Sequence, residues 1–181
     1  MTRKERLRRV AILCCHCLRN LAYYKAGWHK NDLILKDQFW TNVNGNFLDI
    51  SVLEWCKLFG DLHGKHYWGK IISEPQSFYA GMLHELKIKK PELETLRNEM
   101  QKYRDKFVAH LDSDKTMDIP SNLTLAQKSV EYLYAYIKVN EDEGDFFNGA
   151  PSDATAFYDQ QLRCSKAYYN ELKKFTITNG C

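Results

Sequence analysis

The sequence predicts an all-α protein, a bundle of five to six helices, on three observations. Apolar residues recur at spacings of three and four through most of the chain, the mark of amphipathic helices. No stretch alternates apolar and polar residues with period two, so no sheet is expected. Only 9 Gly and 4 Pro interrupt 181 residues, which favours long elements with short connections. With 44% apolar and 27% charged residues, the chain can bury a core and reads as one domain over residues 1–181.

The first helix is expected from Thr2 to Ala26, with Leu7, Val10, Cys14, Leu18 and Leu21 on one face and Gly27 as its stop. Asn31 or Asp32 could cap the second, where Leu35, Phe39 and Val43 recur at fours. Asn44-Gly45 is read there as a break, after which the pattern resumes at Leu48, Val52, Trp55 and Phe59. Gly60 to Ile72 reads as a loop. Ser73 and Gln76 then stand at capping-box spacing around Pro75, before a core face of Phe78, Met82, Leu83 and Leu86. Pro91 opens a helix whose stripe is Leu93, Leu96, Met100, Tyr103, Phe107 and His110. Thr124 and Gln127 offer a further capping box, followed by Ala126, Val130, Leu133 and Ile137 on one face. The acidic run from Glu141 to Asp145 reads as a solvated connection. The last helix is expected near Ser152, with Ala154, Phe157, Cys164, Tyr168, Leu172 and Phe175 inward.

Charge and cysteine usage set weaker bounds. The net charge of +3 is too small to demand nucleic acid, although it permits a local basic face. No apolar run approaches the ~20 residues of a membrane span. Five basic residues precede Val10 to Cys15, but His16 and Arg19 interrupt that run too early for a secretion signal. The six cysteines have no framework spacing, and a reducing cytoplasm is the simplest expectation.

The most informative segment is Arg104-Asp-Lys-Phe-Val-Ala-His110, followed by Leu111-Asp112. Guanidinium matches phosphate oxygens with a planar fork of donors, and imidazole exchanges protons near neutral pH. The pairing suits phosphodiester chemistry. Six residues of α-helix advance about 9 Å and leave two side chains roughly 120° apart. One helix therefore does not readily close both groups on one phosphate unless it loosens near its end. Two copies across a symmetric dimer could.

An Arg, a polar residue and then a His after a gap of four to six residues resembles the signature of the HEPN superfamily. Arg104, Asp105 and His110 fit it. The string from Arg104 to Asp112, and Trp55-Cys-Lys-Leu-Phe59 before it, resemble the abortive-infection branch, with the likeness running from about Phe39 to Ile137. The resemblance implies a dimeric helical bundle acting as a metal-independent endoribonuclease, with no cofactor, of the toxin or phage-defence kind. RNA would be its substrate, and an antitoxin or other protein its partner. Arg104 and His110 would be catalytic, with Asp105 and Asp112 in support. Some members of the superfamily instead serve as non-catalytic RNA-binding or protein-interaction modules. Asp112 occupies the place where one branch carries a regulatory tyrosine, so that regulation is not expected here.

Plainer readings stand beside these. An Arg and a His near a helix C-terminus complement its dipole. Cys14, Cys15, His16 and Cys17 lack the spacing of a structural zinc site and read as core. His63 and His66 lack completing ligands and read as part of a loop that could touch substrate. The basic N-terminus opposes its helix dipole, which suits either a solvated end or an RNA phosphate. Tyr23, Tyr24 and Trp28 could stack on bases or form core.

Overall fold

The computed structural model describes residues 2–109, 118–141 and 149–179. Those residues form an all-α bundle of six helices: α1 (Arg3–Ala26), α2 (Gln38–Trp55), α3 (Pro75–Leu86), α4 (Lys90–Tyr103), α5 (Leu123–Tyr136) and α6 (Ala154–Asn179). His110 and Asp112, with the side chains of Phe107 and Phe175, lie outside the described residues.

α1 is the centre of the bundle, packed along α2, α5 and α6. Its burial explains its composition. Leu7, Val10, Ala11, Cys14, Cys17, Leu18 and Leu21 are all buried, a wider apolar arc than a surface helix carries. Its start is a capping box: the Thr2 hydroxyl accepts the Glu5 N–H at 3.2 Å, and the Thr2 N–H donates to the Glu5 carboxylate at 2.7 Å. Glu5 and the contact of Arg3 with Glu141 offset part of the unfavourable charge at this basic N-terminus.

The connection to α2 departs from expectation. Trp28–His29 and Asp32–Leu33 pair antiparallel, a two-stranded sheet too short to show as alternation. Lys30 and Asn31 between them take left-handed φ of 48° and 66°, as a two-residue hairpin of this twist requires. The cap of α2 is Asp37, which accepts the Trp40 N–H at 3.1 Å, rather than Asn31 or Asp32. Asn44-Gly45 does not break α2. Asn44 is buried and serves α1 instead: its Nδ2 donates to the Tyr24 carbonyl at 3.0 Å, and its Oδ1 accepts from Trp28 Nε1 at 3.0 Å. Asn44 thereby adds a second donor to a carbonyl in the last turn of α1 that also accepts the Gly27 N–H at 3.1 Å. The approach also explains Gly27, where a Cβ would fall 2.2 Å from Asn44 Nδ2.

Two further caps differ. Ser73 does not cap α3; its N–H and hydroxyl both donate to Glu141, at 2.8 Å each. Glu141 is thus a buried structural acid rather than part of a solvated connection. α5 is capped by Asn122, which accepts the Leu125 N–H at 2.9 Å, and Gln127 instead accepts from Lys25 at 3.0 Å. α6 keeps Ala154, Phe157 and Leu172 of its expected face against the core, but not Cys164 and Tyr168. Tyr158, Ser165 and Tyr169 are buried beside Ala154, while Cys164 is exposed and Tyr168 is 69% exposed. Apolar residues flank the true stripe, and one position is a turn of about 100°.

Three helices end in a wider coil. α2 runs into a π-turn at Cys56–Gly60, α4 into one at Arg104–Ala109 and α5 into one at Ile137–Glu141. Trp55 and Phe59 stack across the first of them, with Trp55 Nε1 donating to the Ser129 hydroxyl at 3.0 Å. No described helix is long and apolar enough to cross a membrane.

Candidate functional site

The C-terminal half of α4 builds the site. Arg97, Gln101 and Arg104 fall at i, i+4 and i+7, which is one helical face. That face meets the start of the loop after α2. Gln101 Nε2 donates to the Gly60 carbonyl at 3.0 Å. Arg104 pairs with Asp61 through one terminal nitrogen and with Asp105 through Nε, the latter at 2.8 Å. Tyr103, fully buried, donates its hydroxyl to Asp49 of α2 at 2.7 Å. The turn of the chain just before Arg104 is therefore fixed on two sides.

Arg104 opens the π-turn Arg104–Ala109. Backbone hydrogen bonds there run from i to i+5, and single π-turns of this kind occur often at functional sites. The coil is thus wider than an α-helix from Arg104 to Ala109. The Arg104 side chain is 20% exposed, partly sheltered from water. Asp105 above all, and Asp61 after it, raise its affinity for the proton further, against the opposing effect of burial. Two of its five N–H donors serve these carboxylates. Phosphate capture must use the others or displace a carboxylate.

Of the residues singled out in the sequence, Arg104 and Asp105 come together in an ion pair, and Arg104 is also joined by Asp61. No local pattern marks Asp61: it lies 43 residues from Arg104, and only the fold brings it there. His110 and Asp112 lie outside the described residues. The chain on either side of residues 110–117 is anchored, by Lys102 to Asp118 at 2.8 Å and by the Ser121 N–H to Glu99 at 2.8 Å.

Four of the cysteines are not built for nucleophilic work. Cys14, Cys15, Cys17 and Cys56 are buried. Burial pushes the Cys15 thiol up to about 11 and the Cys56 thiol up to about 12, the latter despite the pull of Arg104. They are inert core thiols. Among the described residues no group of three or more His, Cys, Asp or Glu is placed to hold a metal ion. Tyr24 and Trp28 meet edge to face at 5.9 Å, and Tyr23 meets Phe47 at 5.2 Å, so these rings are engaged within the protein.

His66 sits in a basic setting. Burial lowers its affinity for a proton, and Arg9, Lys57 and Arg6 lower it further, with Glu54 opposing. Comparison of the chain with protein-family models, with curated proteins and with solved structures found no match.

Proposed function

We propose that this protein is a metal-independent endoribonuclease of the HEPN toxin or phage-defence type, cutting RNA at a composite site across a homodimer. The observation that carries the reading is Arg104, a half-sheltered guanidinium at the head of a π-turn, six residues before His110 in a string resembling the HEPN signature. An all-α bundle of this kind is also the setting that the resemblance implies.

In this reading the 2′-hydroxyl of the RNA attacks the adjacent phosphorus. His110 takes the hydroxyl proton, the P–O5′ bond breaks, and an imidazolium, from either copy, protonates the departing 5′-oxygen. The products are a 2′,3′-cyclic phosphate and a 5′-hydroxyl. Arg104 steadies the charge that grows on the phosphoryl oxygens. Asp105 orients Arg104 or its copy across the dimer, with Asp112 in support. DNA lacks the internal nucleophile and resists. An antitoxin or other protein partner would hold the enzyme in check.

A second reading has its own observation. Arg104 is already held by Asp61 and Asp105, which suits a non-catalytic HEPN-like module that binds RNA or a protein. One experiment separates the two. Labelled single-stranded RNA is incubated in chelator with the parent, His110→Ala and Arg104→Ala. Cleavage by the parent alone, with cyclic phosphate ends, supports the ribonuclease. Binding without cleavage by any of the three supports the module. A monomer that cleaves RNA would remove the composite site.

A further inference from the structure

Beside the Arg104 pair lies a second group of cations of different character. Arg6 and Arg9 stand one turn apart on α1. Lys57 belongs to the π-turn Cys56–Gly60, against which both α1 and α4 pack. His66 lies in the loop that follows, and Arg97 on α4. Arg9, Lys57 and Arg6 all bear electrostatically on the His66 imidazole. Arg97 bears on the next residue, Tyr67, and Gln101, one turn along the same face, holds the Gly60 carbonyl.

The group is short of acceptors. Arg6 Nε, Arg97 Nε and His66 Nε2 are each buried without a hydrogen-bond partner. Native structures seldom leave such atoms unpaired, and each such case asks for an explanation. One carboxylate lies within the group, since Glu54 pairs with Lys57 at 3.1 Å, and Glu5 is tied to the Thr2 N–H. Among the described residues no carboxylate pairs with Arg6, Arg9 or Arg97. Cations gathered at the start of α1 also oppose its dipole. A multivalent oxyanion would supply the acceptors that the Arg and His donors lack, and guanidinium forks fit phosphate best.

We infer that Arg6, Arg9, Lys57, His66 and Arg97 form a second anion-binding site, which holds a phosphate of the RNA strand other than the one being cut. The RNA assignment rests on the ribonuclease reading; the anion site itself does not. Arg97 and Arg104 share a face of α4, and seven residues of helix span about 10 Å. One strand can touch both. The second site would then set the register of the strand against Arg104, and the loop between Gly60 and Lys70 would join the two.

The test reads His66 directly. The imidazole resonances of the full chain are followed by NMR while inorganic phosphate is added, in the parent and in Arg9→Gln/Arg97→Gln. The expected result is a saturable shift in the parent, with the imidazole easier to protonate as the anion offsets the surrounding cations, and loss of that response in the variant. Arg9 is exposed, so Arg9→Gln alone, with a partial loss, covers the case in which the double variant fails to fold. In parallel, anisotropy of labelled single-stranded RNA in chelator is measured across a salt series. Losing two phosphate contacts makes the log–log salt slope shallower by about 1.4, and affinity falls about tenfold, or roughly 1.4 kcal/mol.

A silent His66 together with unchanged RNA affinity and salt slope overturns the proposal. A phosphate response with unchanged RNA affinity overturns the assignment to RNA and leaves a site for another anion. A parent that leaves RNA whole while His66 responds sinks the ribonuclease alone. A parent that cleaves RNA while His66 stays silent sinks the second site alone.

Discussion

Arg97 and Arg104 lie on one face of one helix, seven residues apart, in opposite surroundings. Arg104 is held by two carboxylates. Arg97 has a buried Nε without a partner and pairs with no carboxylate among the described residues. α4 gives both the same side chain and the same direction. The loop from Gly60 to Lys70 makes the difference, since its first residues bring Asp61 to Arg104 and its later ones bring Tyr67 within electrostatic reach of Arg97. A cation already paired is positioned but partly spent. A cation left with orphan donors is held ready for an anion at a cost to the fold.

The sharpest way to break this contrast is Arg104→Ala. Loss of a donor aimed at transition-state charge lowers the cleavage rate by about 10²–10³, measured on labelled single-stranded RNA in chelator. Arg104→Lys should fail to restore it, because an ammonium lacks the planar fork. An Arg104→Ala variant as active as the parent would end the ribonuclease reading.

Asp61→Asn should act more gently and in the opposite sense. Asp105 then holds Arg104 alone and the guanidinium turns more freely to phosphate. RNA affinity should rise about threefold, equivalent to roughly 0.7 kcal/mol, by anisotropy. A weaker affinity would mean that Asp61 positions Arg104 for its ligand rather than competing with it.

A smaller effect belongs to His66, whose pKa is lowered by burial first, then by Arg9, Lys57 and Arg6. The unfolded chain, with an imidazole near the ordinary value of about 6.5, takes up the proton first as pH falls. Stability is therefore full above that value and declines below it, down through the lower folded-state pKa. Urea unfolding between pH 8 and 5 should show that decline flattened in His66→Gln. Added phosphate should also flatten it in the parent. The smallest effect is expected for Asp105→Asn. Asp105 is 58% exposed, and exposed pairs contribute about 0–1 kcal/mol, so its thermal midpoint should move little.

The errors of the sequence reading have a common form. Ser73, Thr124 and Asn31 each had the right chemistry for a cap, yet Glu141 engages Ser73, Asn122 caps α5 and Asp37 caps α2. Capping spacing shows which side chains can reach a helix end; it does not show whether another group competes for them. Asn44-Gly45 looked like a break because no local pattern reveals that Asn44 is needed by Tyr24 and Trp28. On α6 the expected face holds at Ala154, Phe157 and Leu172 and fails at Cys164 and Tyr168, since neighbouring positions carry aromatic and apolar residues alike.

The sequence by itself determined the all-α class, the helix that carries Arg97 and leads to Arg104, and the stripe of Leu93, Leu96, Met100 and Tyr103 at the core. These follow from 3.6-residue periodicity and from contacts within a turn or two, which any short stretch of chain encodes. Tertiary structure alone decided the meeting of Arg104 with Asp61, of Ser73 with Glu141, and of His66 with the cations of α1. Those contacts join residues 43, 68 and about 60 positions apart, and are set by how α1 to α5 pack. Long-range partners exist only once the core has closed around them, and no local pattern encodes which charges it will then hold together.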